Sequence, residues 1–295
     1  MTDRRFAALL MLPAAAFLAV FIGWPLVQFV AAGFFEVSPF AGGPWTFVGL
    51  GNYARLFQDA AFADAAWRTV LYAVVVVTCE FVLGLAVALL FTALGNASRI
   101  FRTVFLYPLM IAPIVAGLLW RFLLIDNFGI VNELLTRAGV LRSSTDVQWL
   151  SDPDIALFSV AIPDIWLTTA FITLVLFAGL QNIPRDVVEA ARIDGARYPT
   201  ILVRILLPLL RPVIAVALIV RGIDAARAFD VILIQTGGGP QSSTETLSLL
   251  IYRTMVRFGD PGLASAMGTV YLVVMLAVSI VAVLSIWRPG SDGTA

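Results

Sequence analysis

Six apolar stretches, each long enough to cross a bilayer, dominate this chain of 295 residues. They lie at 6–33, 67–94, 103–125, 155–180, 206–234 and 263–287. A spanning helix needs about 20 mostly apolar residues to cross a hydrocarbon core about 30 Å thick. Lipid offers no partner to backbone N–H and C=O groups, so such segments must satisfy them internally, as helices. The sequence therefore predicts an all-α integral membrane protein with about six transmembrane helices. Hydrophobic residues make up 60% of the chain, charged residues 13%, and mean hydropathy is +0.95. No stretch of ordinary soluble composition remains, so residues 1–295 read as one transmembrane domain. Arg4 and Arg5 precede the first stretch as in a signal peptide, but its apolar run is too long for one and reads as an uncleaved span.

Missing residue types narrow the chemistry. All 19 basic residues are arginine. A phosphate-binding loop needs a lysine to reach nucleotide phosphates, so ATP hydrolysis is not expected on this chain. Without histidine there is no Ser-His-Asp triad and no ordinary zinc site. The one cysteine, Cys79, lies in an apolar run, where it can form no intrachain disulfide and reads as a packing residue. No metal cluster or catalytic residue stands out, and the chain does not read as an enzyme or as the holder of a cofactor. Its net charge of +0 gives no field for nucleic acid.

Arginine placement predicts the orientation. With the N-terminus in the cytoplasm, the inner segments hold Arg4, Arg5, Arg99, Arg102, Arg185, Arg192, Arg197, Arg204, Arg211 and Arg288. The outer loops then hold Arg55, Arg68, Arg137, Arg142, Arg253 and Arg257. Ten against six favours cytoplasmic termini, and puts the loop at 181–205 on the cytoplasmic side. The outer loops are 34–66, 126–154 and 235–262. The first should form a short helix after a glycine turn at Gly49-Leu50-Gly51-Asn52-Tyr53, and the third opens with the turn Thr236-Gly237-Gly238-Gly239-Pro240.

The 181–205 loop reads as helix, glycine, helix. Asn182 is the expected N-cap, Pro184 suits a first turn, and Arg185–Asp194 should be helical. Glu189 and Arg192, three apart, can pair, while Val188, Ala190 and Ala191 leave a low surface for a partner groove. Gly195 suits the left-handed position that ends a helix. Pro199 should start the next helix, and Pro208 should bend or re-enter the span.

The register Glu189-Ala190-Ala191, three residues, Gly195, nine residues, Ile205, one residue, Leu207-Pro208 resembles the EAA loop of importer permeases, the membrane subunits of binding-protein-dependent ABC transporters. Tyr107-Pro108-Leu109 with Ala112-Pro113 and Trp120 is similar to the carbohydrate branch of that family. So are Gly51-Asn52-Tyr53, Asn182-Ile183-Pro184, Ile193-Asp194-Gly195-Ala196, and Phe229-Asp230-Val231 with Thr236 and Gly238-Gly239-Pro240. The resemblance implies the permease fold with a cytoplasmic EAA coupling helix. It assigns ATPase coupling to Glu189, Ala190, Ala191, Asp194 and Gly195. It implies ABC ATPase subunits that carry ATP and magnesium, a second homologous permease, an extracytoplasmic solute-binding protein, and a place in a bacterial cytoplasmic membrane. The expected cargo is a sugar or polyol. Binding of ATP would close the ATPase pair, and the Glu189 loop would move with it and rock the spans.

Charges inside apolar stretches are costly and mark candidate pathways. Glu80, Arg121, Asp164, Arg221, Asp224, Arg227 and Asp230 are such residues. Glu80 can pair with Arg121, and Arg221 with Asp224 as a purely structural ladder. Sugar hydroxyls need planar polar groups and sugar C–H faces need aromatics. Glu80, Trp120, Asp164, Trp166, Asp224, Arg227 and Phe229, with Tyr271, supply those chemistries, while the aromatics also suit lipid contact. Asp164 leads, because Pro163 breaks the backbone ladder beside it, and transporters bind cargo at broken helices. An ion-coupled transporter or channel that uses Glu80 and Asp164 is the alternative, and an intramembrane enzyme has only carboxylate chemistry to offer.

Overall fold

The computed structural model of the chain describes residues 3–36 and 45–286, except the side chains of 3–9, 96 and 286. Residues 37–44, in the loop expected to lie outside, Trp287 at the end of the sixth stretch, and Arg288 lie outside the described residues. In chain order the principal described elements are helix α1 (Leu10–Ala32), strands β1 (Phe35–Glu36) and β2 (Thr46–Phe47), then α2 (Gly51–Gln58), α3 (Ala60–Leu94), α4 (Arg99–Phe105), α5 (Pro113–Leu124) and α6 (Ile130–Arg137). They continue as α7 (Ile162–Gln181), α8 (Arg185–Ile193), α9 (Tyr198–Ala226), α10 (Asp230–Gln235), α11 (Leu247–Val256) and α12 (Pro261–Ile286).

Among the described residues, α1, α3, α7, α9 and α12 are long and apolar enough to cross a membrane. The stretch at 103–125 is not one straight span. The segments Arg99–Met110 and Pro113–Leu124 meet at 97°. Pro113 excludes the α conformation from the residue before it, and Ile111 and Ala112 are both extended, with ψ of 135°. The stretch at 206–234 is also divided. Its helix begins early, at Tyr198, ends at Ala226, and restarts at Asp230 as α10. Pro208 and Pro212 are absorbed within α9, where a π turn at Leu202–Leu206 precedes Pro208. Pro163 does not break a helix midway. It occupies the first turn of α7, where its missing N–H costs little, and Asp164 shares that turn. The segment at 235–262 contains α11, a short apolar helix.

The chain forms two compact units: Met1–Asp64 with Leu250–Leu276, and Ala65–Leu249 with Ala277–Ala295. In the first, β1 and β2 pair antiparallel, with Phe35 opposite Phe47 and Glu36 opposite Thr46. Gly49 has φ +56° and α2 follows it, as the glycine turn predicts. Buried Asn52 on α2 donates its amide to Gly33 O at 3.1 Å and Phe35 O at 2.9 Å, which pins α2 to the chain leaving α1.

The second unit is held by two apolar clusters. One gathers Ala88, Ile172, Leu176, Leu180, Ala191, Ile201, Leu206 and Leu210. The other gathers Tyr72, Val76, Leu157, Val160, Ile232 and Leu249. Between α3 and α7 the approach is set by Gly84, where an added Cβ would fall 2.6 Å from Ile172 Cγ2. Gly84→Val is expected to destabilise the chain by about 1–3 kcal/mol through overpacking. Gly222→Ala, with open space around its Cβ, should not. Thermal melts of both variants in detergent check the contrast. Outside these clusters large apolar side chains stay exposed, such as Phe21 at 64% and Val281 at 67%. Surfaces of this kind need lipid or another membrane chain to cover them.

Candidate substrate path and coupling helix

Two helices of the second unit carry opposite charges toward each other. Glu80 sits past the middle of α3, fully buried, and Arg221 lies near the end of α9, also buried. Arg221 Nε donates to Glu80 Oε2 and Nη2 to Oε1, both at 2.8 Å, a bidentate fork. Arg221 Nη2 also reaches Asp164 Oδ1 at 3.4 Å, and Nη1 donates to Asp224. Thr168 donates to Glu80, and its Oγ1 lies 2.5 Å from Asp164 O one turn back. Tyr72 OH donates to Asp164 Oδ2 at 3.1 Å. Arg227 Nη2 donates to the other oxygen of Asp224 at 3.1 Å.

The result is a charged ladder graded from exposed to buried. Side-chain exposure falls from 66% at Arg227 through 48% at Asp224 and 13% at Asp164 to 3% at Arg221 and 0% at Glu80. Three carboxylates face two guanidiniums, a formal charge of −1 at the cluster. The deep pair is closed to water, and the Asp224–Arg227 end can meet a hydroxylated ligand. Ladder geometry follows from helix periodicity: Arg221, Asp224 and Arg227 recur every three residues, and the helix ends as Arg227 caps it. Asp230, exposed in the first turn of α10, does not join.

Other expectations fare unequally. Arg121 does not pair with Glu80. Its Nη1 donates to Ile234 O at 2.9 Å, on α10, which packs against α5. Trp120 and Trp166 meet edge to face, ring centroids 6.1 Å apart. Phe229 precedes α10, half-buried against the Tyr72 cluster, and Tyr271 belongs to the other unit. Tyr72 and Thr168, which the sequence does not single out, complete the polar ladder, and Arg221, expected as the partner of Asp224, also holds Glu80. Tyr72 lies eight positions before Glu80 on one helix, and Thr168 four after Asp164, so both share faces with the expected carboxylates. The Glu80–Arg221 pairing spans 141 positions and carries no local signal.

The loop at 181–205 folds largely as its signals require. Helix α8 ends in a Schellman motif: Ala196 N–H donates to Ala191 O at 2.9 Å and Gly195 N–H to Arg192 O at 3.0 Å, with Gly195 at φ +78°. Asn182 is not its N-cap. It closes α7 instead, donating its N–H to Gly179 O, and Pro184 holds the N-cap place. Glu189 and Arg192 form no ion pair among the described residues, and both line the space under the helix. Val188 and Ala191 are not a free docking surface. They turn inward onto Ile201, Leu206 and Leu180. Outward lie Asp186, Val187, Ala190, Ile193 and Asp194, with Ile193 86% exposed.

Apolar spanning helices, a buried charge ladder and a short helix anchored between two spans define a multi-pass permease. Residues 81–287 match the family described as binding-protein-dependent transport system inner membrane component, and the chain belongs to that family. It is 37% identical over 279 residues to the sulfoquinovosyl glycerol transport system permease protein SmoG of Agrobacterium fabrum, covering 95% of this chain and 89% of the relative. It is 40% identical over 235 residues to the trehalose/maltose transport system permease protein MalF of Thermococcus litoralis, covering 80% and 78%. In fold it resembles a chain of a bacterial ABC transporter involved in import of the acidic polysaccharide alginate, with TM-score 0.80, 23% identity and 96% of each chain covered. The same holds for that transporter in complex with an alginate pentasaccharide-bound periplasmic protein, at TM-score 0.78 and 24% identity, covering 95% of this chain and 93% of that one.

Proposed function

We propose that this permease carries a sugar or sugar derivative inward and is driven by a separate ATPase seated on α8. The observation that carries the reading is the position of α8. Its inner face, through Val188 and Ala191, is packed into the cluster that joins α7 and α9. A force applied to its outer face is thereby delivered to both spans. That outer face is apolar and small at Val187, Ala190 and Ile193, and acidic at Asp186 and Asp194, which suits a partner groove rimmed by basic groups. Gly195 lets the chain reverse sharply behind it.

The named relatives transport sulfoquinovosyl glycerol and trehalose/maltose, which supports a glycosidic cargo here. A periplasmic binding protein accompanies the solved alginate transporter, which supports one as delivery partner here. The exposed apolar faces of α1 and α12 support a second permease subunit beside this one. An ion-coupled mechanism is less well supported, since Glu80 is held bidentate by Arg221 and Asp164 is shared between Arg221 and Tyr72.

The test is uptake of radiolabelled maltose and related glycosides by proteoliposomes holding this chain, its co-purified permease and ATPase, and the cognate binding protein. Uptake should require ATP and binding protein, and persist when the membrane potential is collapsed. Uptake that needs the potential and no ATP would overturn the reading. Asp164→Asn is expected to weaken uptake at limiting sugar about tenfold, the scale of one lost charge-assisted hydrogen bond. The ATPase should co-purify with it unchanged, and unaltered uptake kinetics would remove Asp164 from the path.

A further inference from the structure

A second polar site lies in the same unit, on the opposite face of α8 from its outward residues. A cavity of about 530 Å³ opens there between α8 and the ends of α3 and α7. Arg102, Arg185 and Arg192 line it, together with Glu189, Gln181 and Tyr198. Arg185, Glu189 and Arg192 recur at helical spacing, so one face of α8 roofs the space. Arg102 reaches in from α4, its guanidinium 4.8 Å from the ring centroid of Phe177. The Arg102 Nε is buried without a hydrogen-bond partner.

None of the three arginines forms an ion pair among the described residues. Three guanidiniums against one carboxylate leave the lining at formal charge +2. Like charges held around one space raise each other's energy unless an anion joins them, and a buried N–H without an acceptor adds to that cost. Guanidinium groups present parallel donors that match phosphate oxygens, and the volume falls in the range of small-molecule sites.

We propose that this cavity binds a phosphate-bearing anion that bridges Arg102 on α4 to Arg185 and Arg192 on α8. The anion ties α8 to the span ends from its inner side and leaves the outward face free for the ATPase. A phospholipid headgroup and a soluble phosphate present the same chemistry, and the cavity's place at the ends of spans admits either.

The test uses the full chain with its co-purified subunits in nanodiscs. In one arm, discs of mixed phosphatidylcholine and phosphatidylglycerol are dissolved gently, and retained phosphatidylglycerol is counted by native mass spectrometry. In the other, inorganic phosphate is titrated into phosphatidylcholine discs at matched ionic strength and read as a rise in melting temperature. The wild type should respond in at least one arm, and the responding arm names the source. Arg192→Gln and Arg102→Gln should each weaken that response about tenfold, as for a lost charge-assisted hydrogen bond. Arg192 is exposed, so its variant should fold normally even if the Arg102 variant does not. No response in either arm, or a response equal in wild type and Arg192→Gln, overturns the proposal.

Discussion

Replacing Arg221 by methionine is expected to cost about 3–5 kcal/mol, the scale of a buried ion pair broken from one side. The side chain is 3% exposed and its principal partner, Glu80, is 0% exposed. The substitution leaves the Glu80 carboxylate buried with only Thr168 as donor. It also removes the cation shared by Asp164 and Asp224. Folded yield and melting temperature in detergent should both fall sharply, and uptake should be lost. Replacing both partners distinguishes lost attraction from stranded charge. An apolar pair of similar volume is often neutral where a broken pair is not. Glu80→Gln with Arg221→Met should therefore recover much of the melting temperature, while transport stays impaired because Asp164 remains without its cation and Asp224 keeps only Arg227. A wild-type melt for Arg221→Met alone would show that the pair holds nothing together.

The contrast between that pair and α8 explains what could be read in the chain. The signals for α8 are local: Pro184 at its start and Gly195 just past its end lie within a few turns of each other. Apolar length likewise marks α1, α3, α7 and α12 directly, because lipid imposes one length on every span. Averaged hydropathy hides interruptions, however. The bend at Ile111–Ala112 is a local consequence of Pro113, but the residues around it are apolar throughout. The break at 227–229 has no proline at all. There the helix stops at Ala226, and the separate helix α10 packs against α5. Partner choice among the buried charges was the least legible. By sequence Glu80 has Arg121 as its candidate partner and Arg221 has Asp224, and only the packing of α3 on α7 and α9 brings Arg221 within 2.8 Å of Glu80. Val188 and Ala191 go to the chain's own core for the same reason. Small apolar residues suit a partner's groove and the chain's own core equally well, and the core cluster took them.

Ile193→Glu is expected to abolish co-purification of the ATPase and, with it, ATP-driven uptake. Ile193 is 86% exposed at the end of α8, beside Asp194 and the Gly195 reversal. An apolar side chain so exposed adds nothing to the stability of the lone chain, and exposed substitutions of this kind usually change stability by less than about 0.5 kcal/mol. Seated in a partner's pocket it becomes an anchor, and truncating or charging an anchor costs about 2 kcal/mol or more, beyond thirtyfold in affinity. The variant should therefore melt like the wild type and insert normally, yet release the ATPase. Gly195→Val should give the same functional loss by another route. Its Cβ meets nothing within 4 Å, so space is not the obstacle. The obstacle is φ +78°, a left-handed conformation costing an L-residue roughly 1–2 kcal/mol and a β-branched one more. The helix end would unwind from its Schellman bonds and turn Ile193 away from the partner. Gly195→Asn, which tolerates that conformation, should retain most coupling. Co-purification yields and ATP-dependent uptake for the three variants check the series. If Ile193→Glu keeps the ATPase at wild-type stoichiometry while Gly195→Val loses it, the partner grips the reversal itself, and the outward face of α8 is not the seat.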